Sequence, residues 1–123
     1  LARWQLSDKV VMTRVKSALL VSAALRYANK ELIDCVLVHR GDADAGTIFV
    51  HIDARDGRHQ ILARSVDFDG RYNWQVITTT DWIDEEAAKT RLDRELAKDP
   101  DAFVVEVSDP AARNPFLMIQ RYF

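Results

Sequence analysis

Four short runs rich in β-branched and aromatic residues, separated by turn-forming clusters, constrain the fold of this chain most strongly. The runs span residues 33–39, 47–53, 60–66 and 72–78. The second run alternates cleanly, with Ile48, Val50 and Ile52 on one face of a strand. The clusters between the runs contain Gly or Asp-Gly, which are turn signals. Because the three connections are short, the sequence predicts an antiparallel β-meander.

Two stretches with apolar spacings of three and four flank the predicted meander. Residues 15–28 are rich in alanine and predict a first helix, although a strand over 15–21 followed by a helix from Ser22 is an alternative. Residues 82–98 predict a second helix, whose acidic first turn faces the positive end of the helix dipole. Its candidate N-cap residues are Thr80 and Asp81.

A fifth apolar run, containing Phe103, Val104, Val105 and Val107, follows the second helix. The predicted fold class is α+β: an antiparallel sheet of about five strands, made of the meander and this late strand, with both helices packed on one face. The 123 residues fit one domain. We place that domain at residues 12–123. Residues 1–11, which precede Met12, are interpreted as a cloning-derived or upstream extension.

Composition excludes several classes of function. The 17 basic and 19 acidic side chains give a net charge of −2, which argues against general nucleic-acid binding. No run approaches the ~20 apolar residues that span a bilayer, so no membrane association is predicted and the expected location is cytoplasmic. A single cysteine, Cys35, excludes an internal disulfide and a multi-cysteine zinc site.

Three segments carry a family resemblance. They read KSALLVSA at residues 16–23, RGDADAG at 40–46 and DPDAFVVE at 99–106. In this order and spacing they resemble a family of small bacterial proteins, domain of unknown function fourteen ninety-one, over roughly residues 12–115. Phe103 stands where members often carry Trp, a departure that preserves an aromatic ring. The resemblance implies a stand-alone domain from a Gram-negative bacterium, and it implies no reaction.

The turn at residues 40–46 is the most distinctive candidate site. Asp42 and Asp44 have a spacing that suits a hard cation, and Arg40 could bind a phosphate or carboxylate with two N–H groups. His39, His51 and Asp53 could add ligands if the hairpin brings them close to the turn. His39 and His51, on consecutive strands, could also face each other as a catalytic pair. However, the third oxygen ligand and the terminal Glu of a calcium loop are missing, and Asp and Gly also suit an ordinary turn. No metal site is therefore predicted.

Signatures of catalysis are weak. The chain has no Gly-x-Ser-x-Gly elbow, no His-Glu-x-x-His pair and no glycine-rich phosphate loop. Cys35 lies in an apolar strand, which is typical of an inert thiol. The sequence favours a protein that is not an enzyme and predicts no cofactor.

The C-terminal segment is rich in apolar and aromatic residues. If exposed, it would form a patch large enough to mark an interface, and if folded back it could form a sixth strand. The residues predicted to form the interface are Trp74, Phe116, Leu117, Ile119 and Tyr122. The resulting hypothesis is a non-catalytic interaction or regulatory domain that self-associates or binds a protein partner. The alternative is a small-molecule or metal-binding enzyme that uses residues 40–44 and His51.

Overall fold

A computed structural model describes residues 16–66, 68–79 and 82–120 of the chain. The predicted extension at residues 1–11 and Tyr122, one of the residues predicted to form an interface, lie outside this part. The elements in chain order are α1 (Ser17–Lys30), β1 (Asp34–His39), β2 (Ile48–Asp53), β3 (His59–Val66), β4 (Tyr72–Val76), α2 (Glu85–Lys98), β5 (Phe103–Ser108) and α3 (Pro115–Ile119). None of these helices is long and apolar enough to cross a membrane.

The five strands form one mixed sheet in the order β1-β5-β2-β3-β4. The meander is confirmed for β2, β3 and β4, which pair antiparallel in sequence order. The expectation of a purely antiparallel sheet is wrong, because β5 lies between β1 and β2 and runs parallel to β2. The reason is burial: Phe103–Ser108 is buried at four of its six positions, which only a central strand with both faces covered permits.

The helices cover opposite faces of the sheet, so the expectation that they share one face is also wrong. One buried cluster joins α1 and α3 to residues of β2 and β5 that include Val50 and Val105. The other joins Ala88 of α2 to neighbouring strand positions such as Phe49 and Val104. Because successive side chains of a strand point to opposite faces, β2 and β5 need an apolar layer on each side.

Helix α1 confirms the first helical prediction and excludes the strand alternative for its described residues. Its buried stripe consists of Leu20, Val21, Ala24 and Ala28 with Ser17 at the start. These positions recur at spacings of three and four, as expected of a helix with one face on a core.

Helix α2 begins at Glu85, three residues later than predicted. Its N-cap is Asp84, whose carboxylate accepts a hydrogen bond from the Ala87 N–H. The delay has a tertiary cause, since Ile83 forms an antiparallel bridge with His59 and its backbone is used in that pairing. The predicted caps Thr80 and Asp81 lie outside the described residues.

The described part of the C-terminal segment, up to residue 120, folds back as the short helix α3 and does not form a sixth strand. The Asn114 side chain accepts a hydrogen bond from the Phe116 N–H and caps this helix. Phe116 and Ile119 are buried, and the Phe116 ring lies 4.8 Å from the Trp74 ring, centroid to centroid. Phe116 and Ile119 therefore belong to the core, whereas Leu117 and Met118 of the same helix are 51% and 37% exposed.

Candidate functional site

The three segments that carry the family resemblance meet at one corner of the molecule. The Ala18 N–H donates to the Ala43 carbonyl at 2.9 Å, and the buried Ser17 hydroxyl donates to the Gly46 carbonyl at 2.6 Å. On the other side of the loop, the Asp42 N–H donates to the Asp101 carbonyl at 2.8 Å. Helix α1, the β1–β2 loop and the start of β5 are thus joined by backbone and hydroxyl hydrogen bonds.

Two glycines make this close approach possible. A Cβ atom on Gly41 would clash with the Asp101 carbonyl oxygen, and one on Gly46 would lie 2.6 Å from the same atom. Both contacts are with backbone, which cannot move aside as a flexible side chain can. The glycines of this motif therefore permit packing of backbone against backbone.

The loop also satisfies the first N–H groups of helix α1. The Ser17 and Ala18 N–H groups point to the Asp44 and Ala43 carbonyls, so they are not free to hold an anion. The side chains of the same two segments also form an ion pair, in which the Lys16 ammonium lies 3.4 Å from the Asp44 carboxylate. The motif at residues 40–46 thus acts first as a backbone cap for α1.

The predicted ligand-binding residues are only partly brought together. Arg40, Asp42 and Asp44 lie on the same loop and are exposed, and Asp42 accepts a hydrogen bond from the Ala45 N–H at 3.2 Å. His51 lies three positions into β2, roughly 10 Å beyond Ile48 along an extended strand. It shares a strand face with Phe49, on the side covered by α2, whereas the loop contacts α1. Binding by the loop itself stays a prediction.

His39 does not face His51. Strand β5 lies between their strands, and His39 Nδ1 donates to the Ala102 carbonyl at 2.8 Å. Among the described residues, no group of three or more His, Cys, Asp or Glu side chains has a geometry that could hold a metal ion.

A buried pair of histidines lies on the α2 side of the sheet. His51 Nε2 and His59 Nδ1 are 2.9 Å apart, a hydrogen-bond distance, and both residues are less than a tenth exposed. A carboxylate lies beyond each ring. Glu106 Oε1 is 3.6 Å from His51 Nδ1, and Asp53 Oδ1 is 3.9 Å from His59 Nε2.

The number of protons on the two rings determines how many of their four nitrogens can take part in a hydrogen bond, either with the other ring or with a carboxylate. In the neutral pair one ring donates to the other, and one of the two outer nitrogens must face its carboxylate without a proton. One added proton gives both carboxylates an N–H partner. A second added proton would set two N–H groups against each other across 2.9 Å and break the central hydrogen bond.

Burial sets the direction of the titration. Removal of the His51 ring from water lowers its pKa, and this effect outweighs the attraction of Glu106, which acts to raise it.

The single cysteine does not offer a nucleophile. Burial, followed by repulsion from Asp34, raises the pKa of Cys35 to about 11, so this thiol is protonated at neutral pH. The reactive thiolate is therefore not significantly populated.

The sequence interpretation did not pair the two histidines. The available signal was the Asp-Gly turn between them, because Asp53 pairs with His59 and His51 with Ile61 in the hairpin. Two residues offset by two positions across a ladder are diagonal neighbours on one face. The register, and hence this contact, depends on where the turn closes.

The residues predicted to form an interface are divided between the core and the surface. Phe116 and Ile119 are buried, and the partly buried Trp74 packs against Phe116. Leu117 is half exposed on the outer side of α3. In this conformation, Leu117 is the member of the described set whose side chain is most available to a partner.

Comparison with known proteins places these features in context. The family model for a protein of unknown function, DUF1491, matches residues 15–117. A search of curated proteins finds no match.

Solved structures of similar proteins share the fold. The crystal structure of a DUF1491 family protein from Caulobacter crescentus matches with a TM-score of 0.74 at 25% identity, over 82% of this chain and 94% of that chain. An NMR structure of a family protein from the same organism gives 0.72 at 25% identity, over 83% and 92%. The solution structure of a protein from A. tumefaciens gives 0.66 at 25% identity, over 77% and 86%.

Proposed function

Since this chain belongs to the DUF1491 family, whose proteins have no established function, no known reaction constrains the assignment. We propose that the protein is a self-associating interaction domain and that its contact surface is the edge of β1 that no described strand pairs with. The observation that carries the proposal is a pair of half-exposed valines on this edge strand.

Strand β1 has one partner, β5, among the described residues. Its side chains alternate between partly buried and exposed, and Val36 and Val38 are 50% and 59% exposed. Cys35 and Leu37 face the α1 side with Val107 and Val105, so Val36 lies on the opposite face, beyond the cover of α2. An unpaired edge with apolar side chains is a template for strand addition.

The charges at the two ends of β1 favour a second copy of the same chain as the partner. In a two-fold antiparallel pairing of two β1 strands centred on Leu37, Val36 lies close to the second copy's Val38, and the end of β1 that carries Asp34 lies beside the end that leads to the second copy's Arg40. Each contact occurs twice by symmetry. Arg40 has no hydrogen bond or ion pair with the described residues, and Asp34 lies 3.9 Å from Arg55. The edge is therefore complementary to itself in both apolar and charged positions.

The contact is expected to be weak. The register of β1 shifts between Leu37 and His39, and such a bulge bends the strand and limits the ladder. A ladder of this length buries less than the roughly 1,200–2,000 Å² of stable interfaces, so a reversible dimer is expected.

The first test is the mass of the protein in solution over a wide range of concentration. We expect sedimentation velocity to give a monomer–dimer equilibrium, and the double variant Val36→Lys, Val38→Lys to remain monomeric. Leu19→Lys is the matched control, because Leu19 is a similarly exposed apolar side chain, at 56%, that belongs to α1 and not to β1. A wild-type chain that is monomeric at the highest concentration would overturn the proposal.

A charge exchange tests the pairing register. Asp34→Arg and Arg40→Asp should each weaken the dimer, because each places like charges opposite one another, and the double variant should restore it. Both side chains are exposed, so the fold should be unaffected. If the double variant stays as weak as the single ones, the two residues do not face each other.

The predicted contribution of the C-terminal segment is tested by Leu117→Lys. Leu117 is 51% exposed, so the change should leave the core intact. A weaker dimer in this variant would add α3 to the contact, whereas unchanged mass would limit the contact to β1.

A second candidate is the binding of a small molecule or metal ion, with or without a reaction, by Arg40, Asp42 and Asp44. The observation that favours it is that all three are exposed on a loop held at both ends by backbone hydrogen bonds. The double variant Asp42→Asn, Asp44→Asn removes both negative charges, while the amide oxygen introduced at position 42 can still accept from the Ala45 N–H. A divalent ion that raises the melting temperature equally in this variant would exclude the two carboxylates as ligands.

A further inference from the structure

A cavity of about 370 Å³ lies beside the loop at residues 40–46, on the α1 side of the sheet. This volume is within the range of small-molecule sites. The residues that line it are Ser17, Asp44, Ala45, Gly46, Thr47, Ile48, Arg64 and Tyr72. Its walls therefore come from the start of α1, the end of the β1–β2 loop, and neighbouring strands of the sheet.

Arg64 is the unusual member of this set. Its guanidinium carbon lies 3.6 Å from the centroid of the Tyr72 ring, and the side chain is partly buried. No described residue offers it a carboxylate or a hydrogen-bond acceptor. By contrast, four other arginines donate to carboxylates or carbonyls: Arg55, Arg58, Arg91 and Arg113.

An unmatched guanidinium is costly to bury. Burial lowers the pKa of Arg64. The Tyr72 ring supports one face of the guanidinium by a cation–π contact but accepts none of its N–H hydrogen bonds. Since no described residue accepts a hydrogen bond from Arg64, its guanidinium can donate to an acceptor in the cavity that it lines.

We propose that this cavity binds a small anion, a carboxylate or a phosphate, with Arg64 as the binding residue and Tyr72 as its positioning residue. The planar guanidinium matches two oxygens of either group. Tyr72 holds the plane of the guanidinium in place, so that less rotational freedom is lost on binding.

The other charges at the cavity are compatible with an anion. Asp44 is the only acidic side chain in the lining described above, and it is paired with Lys16 at 3.4 Å. Together with Arg64, these three side chains carry a net charge of +1. The Ser17 hydroxyl and the Gly46 N–H are already used within the loop, so binding depends on Arg64 and not on the start of α1.

The test is an NMR titration of the full chain with inorganic phosphate and, separately, with acetate, at constant ionic strength. We expect saturable shifts of the Arg64 side-chain Nε–H and of the amides of residues 44–48 with at least one of the two anions. The anion that saturates at lower concentration identifies the preferred class. Shifts that are linear in concentration, or that are equal with chloride, would overturn the proposal.

Variants distinguish a specific contact made by Arg64 from the effect of removing one positive charge anywhere on the protein. Arg64→Gln should weaken binding by about tenfold or more, and Arg64→Lys should weaken it less, because Lys keeps the charge but loses the fork of donors. Arg26→Gln is the matched control, since Arg26 is exposed on α1 and loses the same charge. If Arg26→Gln weakens binding as much as Arg64→Gln, the site is not at Arg64.

Discussion

Gly46 lies where the β1–β2 loop passes over the backbone of Asp101. A Cβ atom here would be 2.6 Å from the Asp101 carbonyl oxygen and 2.7 Å from that of Asp42. Gly70 has a different constraint, since its φ is +78° but no atom lies within 4 Å of an added Cβ. Gly46 is therefore required because there is no room for a side chain, and Gly70 is favoured because of its backbone conformation.

We expect Gly46→Ala to lower the free energy of unfolding by about 1–3 kcal/mol, because the backbone must move to admit the methyl group. Gly70→Ala should cost about 1 kcal/mol, through its left-handed conformation alone. Urea denaturation of both variants measures the difference. A larger loss for Gly70→Ala would mean that the loop adapts easily and that the motif is not needed for packing.

At the scale of elements, α3 is short but belongs to the core. Phe116 is 2% exposed and contacts Trp74, whereas the adjacent Leu117 is 51% exposed. The two positions therefore have opposite environments on a helix of five residues.

Phe116→Ala should reduce the free energy of unfolding by about 3–5 kcal/mol, through lost burial and the cavity left under α3. Leu117→Ala should change it by less than about 0.5 kcal/mol. The measurement is the midpoint of urea denaturation, followed by circular dichroism and by tryptophan fluorescence, to which Trp74 contributes together with Trp4 and Trp82. Equal effects of the two substitutions would mean that α3 is not docked as described.

At the scale of the whole molecule, the histidine pair connects adjacent strands of the sheet. It joins His51 of β2 to His59 of β3, with Glu106 of β5 and Asp53 of β2 beyond the rings, and Glu85 of α2 adds a further negative charge. Protonation of His51 is therefore coupled to the stability of the sheet.

We expect the protein to lose stability as the pH falls below about 6.5, the ordinary His value. The pKa of His51 is lowered by folding, so the unfolded chain binds more protons, and stability increases with pH through this range and is constant above it. Thermal denaturation at several pH values measures this loss. His51→Gln should reduce the loss, because Gln does not titrate and keeps an amide toward His59.

A second loss is expected at much lower pH and serves as a reference. Hydrogen bonds from Arg113 lower the pKa of Asp109 to about 2. The stability from the Asp109–Arg113 pair is present above the unfolded pKa of 3.8 and is lost as the pH falls toward 2.

The two losses of stability can be assigned separately. If His51→Gln leaves the loss between neutral pH and pH 5 unchanged, a group other than His51 is responsible for that loss.

Much of the local structure could be predicted from the sequence. All five strands and both long helices were located, and Phe103–Ser108 differs from its prediction by one residue. Alternation and helical spacing depend on near neighbours, so they are visible in the chain itself. The start of α2 was misplaced because the bridge between Ile83 and His59 is a contact between distant residues.

The candidate site was less accessible to prediction. The loop at residues 40–46 was identified, but its link to Asp101 and Ser17 was not, and the partners of His51 and Arg64 were missed. Such contacts depend on strand register and on which face each helix covers.

The sequence by itself determined the type and limits of the elements, the α+β class and the family. Only the tertiary structure decided that β5 lies between β1 and β2, that α1 and α2 lie on opposite faces, and that α3 completes the core. The physical reason is that an element forms from local propensity and pattern. Strand order and helix placement, however, follow from burying both faces of β2 and β5 at once, a condition on residues far apart in the chain.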